Sequence, residues 1–244
     1  MKAIRMTLKP IGKPSLPQAH FDILQGIFYH LLSIDKELST EIHNKESGRD
    51  KQFKFFCFTD LHGKSKISKN RIFYDGYCKW EIRSADDRII NTIVKAVDYS
   101  KSIVLDDGMF KIISYSFSEM EFLDKEAIIV LDTPVTIYKT DEYKHVTYYS
   151  PLDEEFVSGI ISNIKNKINA YYGTDKEVDV KITCFSKNED CKCVTYYKNY
   201  VITAHYGRFR IEAEPDVLKF IFYTGLGAKN IMGFGTINLI GQKP

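Results

Sequence analysis

A glycine-rich segment in the carboxyl-terminal part of the chain has the clearest chemical meaning in the sequence. It reads Gly-Leu-Gly-Ala-Lys-Asn-Ile-Met-Gly-Phe-Gly, and its glycines are Gly225, Gly227, Gly233 and Gly235. Because glycine has no Cβ, it reaches positive φ without strain and lets another backbone come close. We therefore expect main-chain N–H groups of this loop, with Lys229 and Asn230, to face an anionic ligand. The alternative is a flexible hairpin between a helix and the last strand.

Two common phosphate-binding loops do not fit this segment. A dinucleotide-binding fingerprint needs a third glycine three residues after the second, where this chain has Asn230. A Walker loop needs Gly-Lys followed by Ser or Thr, which the segment lacks. The flanks are also reversed, because Asp216–Thr224 reads as a helix ending at Gly225 and Thr236–Ile240 reads as a strand. Helix, loop and strand in this order are the opposite of a nucleotide-binding fold.

The amino-terminal half predicts the order strand, helix, strand, strand, helix, strand. The first strand, Ala3–Leu8, alternates apolar and polar side chains, and the following helix, Gln18–Ser33, has an apolar stripe through Leu24 and Phe28. The later elements are a short helix at Lys36–His43, strands at Gln52–Thr59 and Arg71–Arg83, a helix capped by Ser84, and strands at Ser102–Leu105 and Met109–Phe117. A basic hairpin segment, Leu61–Asn70, joins the two middle strands. This is the split βαβ order of a ferredoxin-like domain.

The second half repeats this order. Leu152–Tyr172 reads as its first helix, and Pro215 starts the last helix at a position that tolerates proline. Its strands are predicted at Ala127–Lys139, Val178–Phe185, within Cys193–Ala213 and at Thr236–Ile240. We therefore predict an α+β fold of two tandem ferredoxin-like (βαββαβ) domains, covering residues 1–122 and 123–244.

Charge is distributed unevenly although the net charge is only +2. Gly48–Arg71 has seven Lys or Arg against two Asp, whereas acidic residues concentrate in Glu119–Glu126 and Asp141–Glu155. Such separation can give one basic face of the kind that an RNA backbone needs, but a solvated charged surface looks similar. Five cysteines, an odd number, and the lack of a secretory or membrane-spanning segment predict a reduced, cytoplasmic protein that is not in the membrane. No histidine or cysteine spacing predicts a metal site, and we expect no cofactor.

The run from Gly207 through Leu239 resembles the CRISPR-associated endoribonuclease family that processes precursor crRNA, a family of the RAMP superfamily. The resemblance is carried by Gly207-Arg-Phe-Arg-Ile, the helix that follows it, Gly-Leu-Gly-Ala-Lys-Asn and Gly-Phe-Gly. It implies a tandem ferredoxin-like fold and a metal-independent cut of CRISPR repeat RNA by the 2′-hydroxyl, leaving a 2′,3′-cyclic phosphate and a 5′-hydroxyl. The alternative is a non-catalytic RAMP protein, an RNA-binding subunit of a CRISPR effector complex.

In members of this family the catalytic groups come from the first helix and the loop after it. By that resemblance Tyr29, His43 and Lys51 are the candidate catalytic residues. His43 would act as general acid or base, Tyr29 as its partner, and Lys51 as the cation that stabilises the developing charge. Structural alternatives are a tyrosine at the rim of the core, a histidine at a helix end and one lysine among many. His30 adjoins Tyr29 but lies about 100° around the helix, so only one of the two can face a given site.

The predicted partner is CRISPR repeat RNA in precursor transcripts. The predicted RNA-binding residues are those of the glycine-rich loop and two arginines that extend its surface: Gly225, Gly227, Lys229, Asn230, Gly233, Gly235, Arg208 and Arg210. Contact with other effector subunits and a homodimer are left open by the sequence.

Overall fold

The structure, a computed structural model, describes residues 1–47, 53–175, 177–186, 191–198 and 200–240. The elements of its first half are β1 Lys2–Ile11, β2 Ser15–Pro17, α1 Phe21–Leu32, α2 Lys36–Ser47, β3 Phe56–Phe58, β4 His62–Ser68, β5 Arg71–Ser84, α3 Asp87–Ser100, β6 Ser102–Leu105 and β7 Gly108–Ser118. Those of its second half are β8 Glu126–Leu131, β9 Tyr138–Thr140, β10 Val146–Tyr148, α4 Glu154–Tyr172, β11 Val180–Cys184, β12 Lys192–Tyr197, β13 Tyr200–His205, β14 Arg208–Ala213, α5 Pro215–Thr224 and β15 Ile237–Leu239. A short 3₁₀ helix, Asn230–Met232, lies in the glycine-rich loop.

β1 lies at the centre of the first sheet, antiparallel to β5 on one side and to β7 on the other. β3 and β4 pair with β5, and β6 extends the opposite edge beyond β7. Alternate residues of β1, namely Ile4, Met6 and Leu8, are fully buried and share one core with the apolar residues of α1 and α3. The side chains between them, such as Arg5, therefore lie on the outer face of this sheet.

β8 lies at the centre of the second sheet, between β14 and β15, and β11 is beyond β14. All of these pairs are antiparallel. Ile160 and Ile164 of α4 and Leu218 and Ile221 of α5 are buried in the core of this half. Two hairpins, β9–β10 and β12–β13, are separate from the four-stranded sheet. The helices therefore pack against one face of the sheet.

Both sheets have the strand order of a ferredoxin-like domain, in which the first strand is central and flanked by the third and the fourth. The predicted α+β fold with two tandem ferredoxin-like domains is confirmed. The boundary between residues 122 and 123 stays a prediction. Phe122 packs in the second core, and Ala3 and Ala85 from the first half pack there too. The two halves are therefore in direct apolar contact.

Two local predictions around β5 differ from the structure. Leu61–Asn70 was expected to be a hairpin segment that joins the two middle strands, but most of it forms β4, which pairs with β5 along the edge opposite to β1. Ser84 was expected to cap the next helix, but it is the last residue of β5. Asp86 caps α3, since its carboxylate accepts a hydrogen bond of 2.9 Å from the Arg88 N–H.

Candidate functional site

Helix α1 brings Tyr29 of the predicted catalytic set to the border between core and surface. Leu24, Phe28 and Leu31 of this helix are buried, while Tyr29 is partly exposed. The Lys54 ammonium donates a hydrogen bond of 2.8 Å to the Tyr29 hydroxyl, and its Nζ lies 5.2 Å from the centroid of the tyrosine ring. A cation and a phenol are therefore held together at the edge of the first core.

Lys54 is a buried lysine that the sequence reasoning did not select. Its exposed fraction is 8%, and it lies just before β3. Lys51, the predicted cation, lies outside the described residues, so its role stays a prediction. A signal for Lys54 was present in the sequence, because it lies between Phe53 and Phe55 at the approach to an apolar strand. A lysine in such a run buries its aliphatic stem and keeps its ammonium at the border of the core.

Helix α2 carries His43 beside the same core. Asp35 caps this helix, since its carboxylate accepts a hydrogen bond of 3.0 Å from the Leu38 N–H. Leu38 and Ile42 are buried in one core with Phe28 of α1. His43 follows Ile42 and is exposed. Within the part of the chain that the structure describes, His43 makes no hydrogen bond or ion pair, so no described group fixes its tautomer.

An ion-pair cluster fastens α2 to α3. The Arg88 guanidinium bonds both oxygens of the Glu41 carboxylate, at 3.0 and 3.1 Å. It also donates to Asp86 at 2.7 Å. Such a bidentate pair restricts orientation more than a single hydrogen bond does. Glu41 lies two residues before His43, so Arg88 helps to define where the end of α2 is placed.

The backbone of the glycine-rich loop packs against itself, and its conformation requires the glycines. Gly225, Gly227, Gly233 and Gly235 all have positive φ, at 79°, 66°, 88° and 75°. A Cβ on Gly235 would lie 1.9 Å from the Leu226 carbonyl oxygen. The N–H groups of Leu226 and Gly235 donate to carbonyl oxygens of Gly235 and Pro134, at 2.7 and 3.0 Å. These glycines are therefore needed for the packing of the loop before any ligand is considered.

Asn230 ties the two arms of this loop together. Its Nδ2 donates to the carbonyl oxygens of Leu226 and Phe234, both at 2.9 Å, and its Oδ1 accepts from Lys167 at 3.1 Å. Lys167 of α4 is 2% exposed and also donates to the Gly225 carbonyl oxygen at 2.5 Å. Burial lowers the pKa of Lys167 to about 7. The side chain of Asn230 is thus engaged within the protein, and its predicted contact with RNA stays a prediction.

Lys229 and the two predicted arginines are the charged members of the predicted RNA-binding set. Lys229 is partly exposed at the loop tip, and its Nζ lies 4.5 Å from the centroid of the Tyr138 ring. Arg208 and Arg210 alternate with buried residues of β14, so both lie on the outer face of the second sheet. The Arg210 guanidinium carbon lies 5.7 Å from the centroid of the Phe185 ring. The structure thus separates Lys229 from the arginines, which lie on a different surface element.

A polar cluster that the sequence reasoning missed joins the outer faces of the two sheets. The His62 imidazole Nε2 lies 2.9 and 3.0 Å from the two carboxylate oxygens of Asp132, and the Asn238 amide donates to the same carboxylate at 2.9 Å. The hydrogen bond between the His62 imidazole and the Asp132 carboxylate raises the pKa of His62. Lys79 is the cross-strand neighbour of His62 on the first sheet, and Arg208 shares a row with Asn238 on the second. No local signal predicts the His62–Asp132 pair, because its members come from different halves of the chain.

No group of three or more His, Cys, Asp or Glu side chains in the described ranges is arranged to hold a metal ion. In the same ranges, no helix combines the length and the apolar character needed to cross a membrane.

Comparison with known proteins identifies the family. Residues 117–239 match the family model described as CRISPR associated protein Cas6, C-terminal. The chain belongs to this Cas6 family. Among curated proteins it is similar to CRISPR-associated endoribonuclease Cas6 2 of Methanocaldococcus jannaschii, with 25% identity over 97% of this chain and 99% of the relative. CRISPR-associated endoribonuclease Cas6 1 of the same organism is 22% identical over 98% of this chain and 93% of the relative.

Solved structures of Cas6 proteins have the same fold as this chain. A CRISPR associated protein Cas6 superposes with a TM-score of 0.81 at 19% identity, covering 98% of this chain and 99% of that one. A structure described as a RAMP protein binding different RNA substrates reaches 0.84 at 19% identity, covering 99% and 100%. At such low identity these likenesses show the tandem fold and do not transfer individual residues.

Proposed function

We propose that this Cas6-family protein is an endoribonuclease that cleaves CRISPR repeat RNA in precursor transcripts to give mature crRNA. The two relatives that cover nearly the whole chain are named as CRISPR-associated endoribonucleases, which supports this class of reaction. The structural observation that carries the proposal is the buried Lys54 ammonium bonded to the Tyr29 hydroxyl, with exposed His43 on the next helix. A cation, a phenol and an imidazole can supply the charge stabilisation and the proton transfers that metal-independent RNA cleavage needs.

RNA contains its own nucleophile, the 2′-hydroxyl, so the reaction can proceed without a metal. The 2′-oxygen attacks the adjacent phosphorus, its proton passes to a base, and the bond from phosphorus to the 5′-oxygen breaks as that oxygen takes a proton from an acid. We assign His43 to one of these proton transfers. Lys54 stabilises the negative charge that develops on the phosphate oxygens, and Tyr29 orients Lys54. The products are a 2′,3′-cyclic phosphate and a 5′-hydroxyl.

The RNA-binding surface that we propose combines the tip of the glycine-rich loop with the outer sheet faces. Lys229 offers a cation at the tip, and Arg208 and Arg210 offer two more on the second sheet. Phosphate contacts of this kind fix the position of a nucleic acid without reading its sequence. The buried glycines act indirectly, because they determine the conformation in which Lys229 is presented.

A non-catalytic RNA-binding subunit is the second candidate function. The observation in its favour is that no described residue orients His43, whereas catalytic bases are usually held by another group. Such a subunit would use the same RNA-binding surface. Assembly with other CRISPR subunits or with a second copy of this chain stays a prediction under either function.

Incubation of the protein with a repeat-containing transcript in excess EDTA tests the proposed reaction. We expect cleavage at one position, with a product whose 3′ end resists direct ligation and loses its cyclic phosphate on acid treatment. Binding of the transcript without any cleavage would favour the non-catalytic subunit. Cleavage that EDTA abolishes and magnesium restores would contradict the metal-independent mechanism.

A further inference from the structure

Gln25 is a buried amide that connects three elements. It lies on α1 with an exposed fraction of 7%. Its Nε2 donates a hydrogen bond of 2.8 Å to the carbonyl oxygen of Ile231, in the glycine-rich loop. Its Oε1 accepts a hydrogen bond from the hydroxyl of Tyr197, at the end of β12. Because a carbonyl oxygen only accepts, the contact with Ile231 fixes which end of the amide is the donor and leaves its oxygen for the tyrosine.

The surroundings of this amide are apolar, so the loss of either of its two hydrogen bonds is costly. Tyr197 is 6% exposed and shares a small core cluster with Phe234 of the glycine-rich loop. Phe21, at the start of α1, packs against the same cluster, with its ring centroid 5.3 Å from that of Phe234. A buried amide that loses a partner is left unsatisfied, so the native arrangement of helix, loop and hairpin is favoured over small shifts between them.

The helical position of Gln25 links this junction to the catalytic groups. Tyr29 is four residues after Gln25, and residues at this spacing are neighbours on one face of a helix. Tyr29 is in turn the acceptor of the Lys54 hydrogen bond. A displacement of the loop or of the β12–β13 hairpin would therefore act on the same helical turn that carries Tyr29.

We propose that Gln25 is a positioning residue that couples the glycine-rich loop and the β12–β13 hairpin of the second domain to the catalytic helix of the first. This inference rests on the proposed function and adds a mechanism by which RNA held on the second domain sets the geometry of the cut. Gln25 itself does not touch the RNA. It acts through Tyr29.

Cleavage kinetics test the coupling. Gln25→Met removes both hydrogen bonds of the amide and Tyr197→Phe removes one of them, each with little change of shape. Gln18→Met and Tyr99→Phe are matched controls at exposed positions. At saturating repeat RNA we expect the first two to lower the single-turnover rate constant about tenfold to a hundredfold, with the Kd for RNA within about twofold. In a Tyr29→Phe background the same changes should lower the rate by less than about twofold, because the residue through which they act is already altered. Equal losses in both backgrounds would overturn the proposal.

A readout without cleavage separates this proposal from the proposed function. With 3-fluorotyrosine placed at position 29, the fluorine resonance of the RNA-free protein should shift on Tyr197→Phe and on Gln25→Met but not on Tyr99→Phe. If the wild-type protein does not cleave RNA, the proposed function is contradicted. The fluorine resonance would still test whether Gln25 and Tyr197 are coupled to Tyr29. A resonance that none of the variants moves would overturn the coupling, even if cleavage is confirmed.

Discussion

At the scale of single residues, the contact between Lys54 and Tyr29 alters the interpretation of the catalytic set. The resemblance pointed to Lys51, which precedes the predicted strand Gln52–Thr59. The structure shows Lys54 donating to the tyrosine hydroxyl from a nearly buried position. A buried ammonium acts in a low-dielectric environment, where its stabilisation of a phosphate charge is stronger than at the surface.

Substitution of the two lysines distinguishes their roles. Lys54→Met should lower the single-turnover cleavage rate about 10²- to 10³-fold, because it removes the cation while keeping the apolar stem. Lys51→Met should change the rate by less than about tenfold, since its charge would act mainly on RNA affinity. The rates are measured at saturating repeat RNA, and circular dichroism checks the fold of each variant. The reverse result, an inactive Lys51→Met and an active Lys54→Met, would restore Lys51 as the catalytic cation.

Lys167 should give the stability of the protein a recognisable dependence on pH. Burial lowers its pKa from the ordinary value of 10.5 to about 7, so between these values the unfolded chain binds a proton that the native protein does not. The contribution of Lys167 to the free energy of unfolding should therefore be fully present above about pH 10.5 and be lost as the pH falls through 7.

Urea denaturation between pH 6.5 and 10 measures this effect in wild type, Lys167→Met and Lys165→Met. The free energy of unfolding of wild type minus that of Lys167→Met should rise with pH across this interval. Lys165→Met, on the same helix and partly exposed, serves as the control and should not remove the rise. A difference between wild type and Lys167→Met that is constant with pH would contradict the burial of a titrating ammonium.

At the scale of elements, the glycine-rich loop shows what a sequence pattern can and cannot predict. The pattern predicted a loop that needs positive φ, and all its glycines have it. It also suggested that the close approach was to a ligand. The structure instead places the Leu226 carbonyl against Gly235 and the Phe58 ring against Gly233. A substitution here that weakens RNA binding would therefore also disturb the fold, and the two effects must be measured separately.

Gly235→Ala should be far more destabilising than Gly173→Ala. Both glycines have positive φ, at 75° and 63°, so an alanine is strained by about 1 kcal/mol at either position. A Cβ at position 173 meets open space, whereas at position 235 it would lie 1.9 Å from a backbone oxygen. We expect Gly235→Ala to lose at least about 2 kcal/mol more in the free energy of unfolding. If urea denaturation gives equal losses in the free energy of unfolding for both variants, the close approach of the Leu226 carbonyl oxygen to position 235 is contradicted.

The long elements could be predicted from the sequence because each contains several periods of its pattern. β5 and α4 lie within a few residues of their predicted ranges, and α3 begins three residues after its predicted cap. The strands β2, β9 and β10 have three residues each, which is too short for an alternation to be recognised. Asp86 rather than Ser84 caps α3 because the ladder of β5 continues through Ser84. Pairing with a distant strand therefore overrode a plausible local signal.

At the scale of the whole molecule, contacts between residues far apart in the chain connect the first half, which carries the candidate catalytic residues, to the second half. Gln25 and Ile231 are 206 residues apart, and His62 and Asp132 are 70 apart. The local sequence around a residue of either pair gives no signal for its distant partner, so these contacts could not be predicted. The resemblance supplied Tyr29 and His43 because members of the family carry their catalytic groups on the first helix and in the loop after it. The junction between the domains became visible only in three dimensions.

The central claim is that His43 performs general acid–base catalysis on repeat RNA, and one set of cleavage rates tests it most directly. Single-turnover rates are measured for wild type, His43→Ala and His30→Ala, with wild type also tested on repeat RNA containing a 2′-deoxy nucleotide at the cleavage position. We predict that His43→Ala lowers the rate about 10²- to 10⁴-fold with little change in Kd, that His30→Ala cuts normally, and that the deoxy substrate is not cut. A His43→Ala protein that cleaves at the wild-type rate would contradict the account.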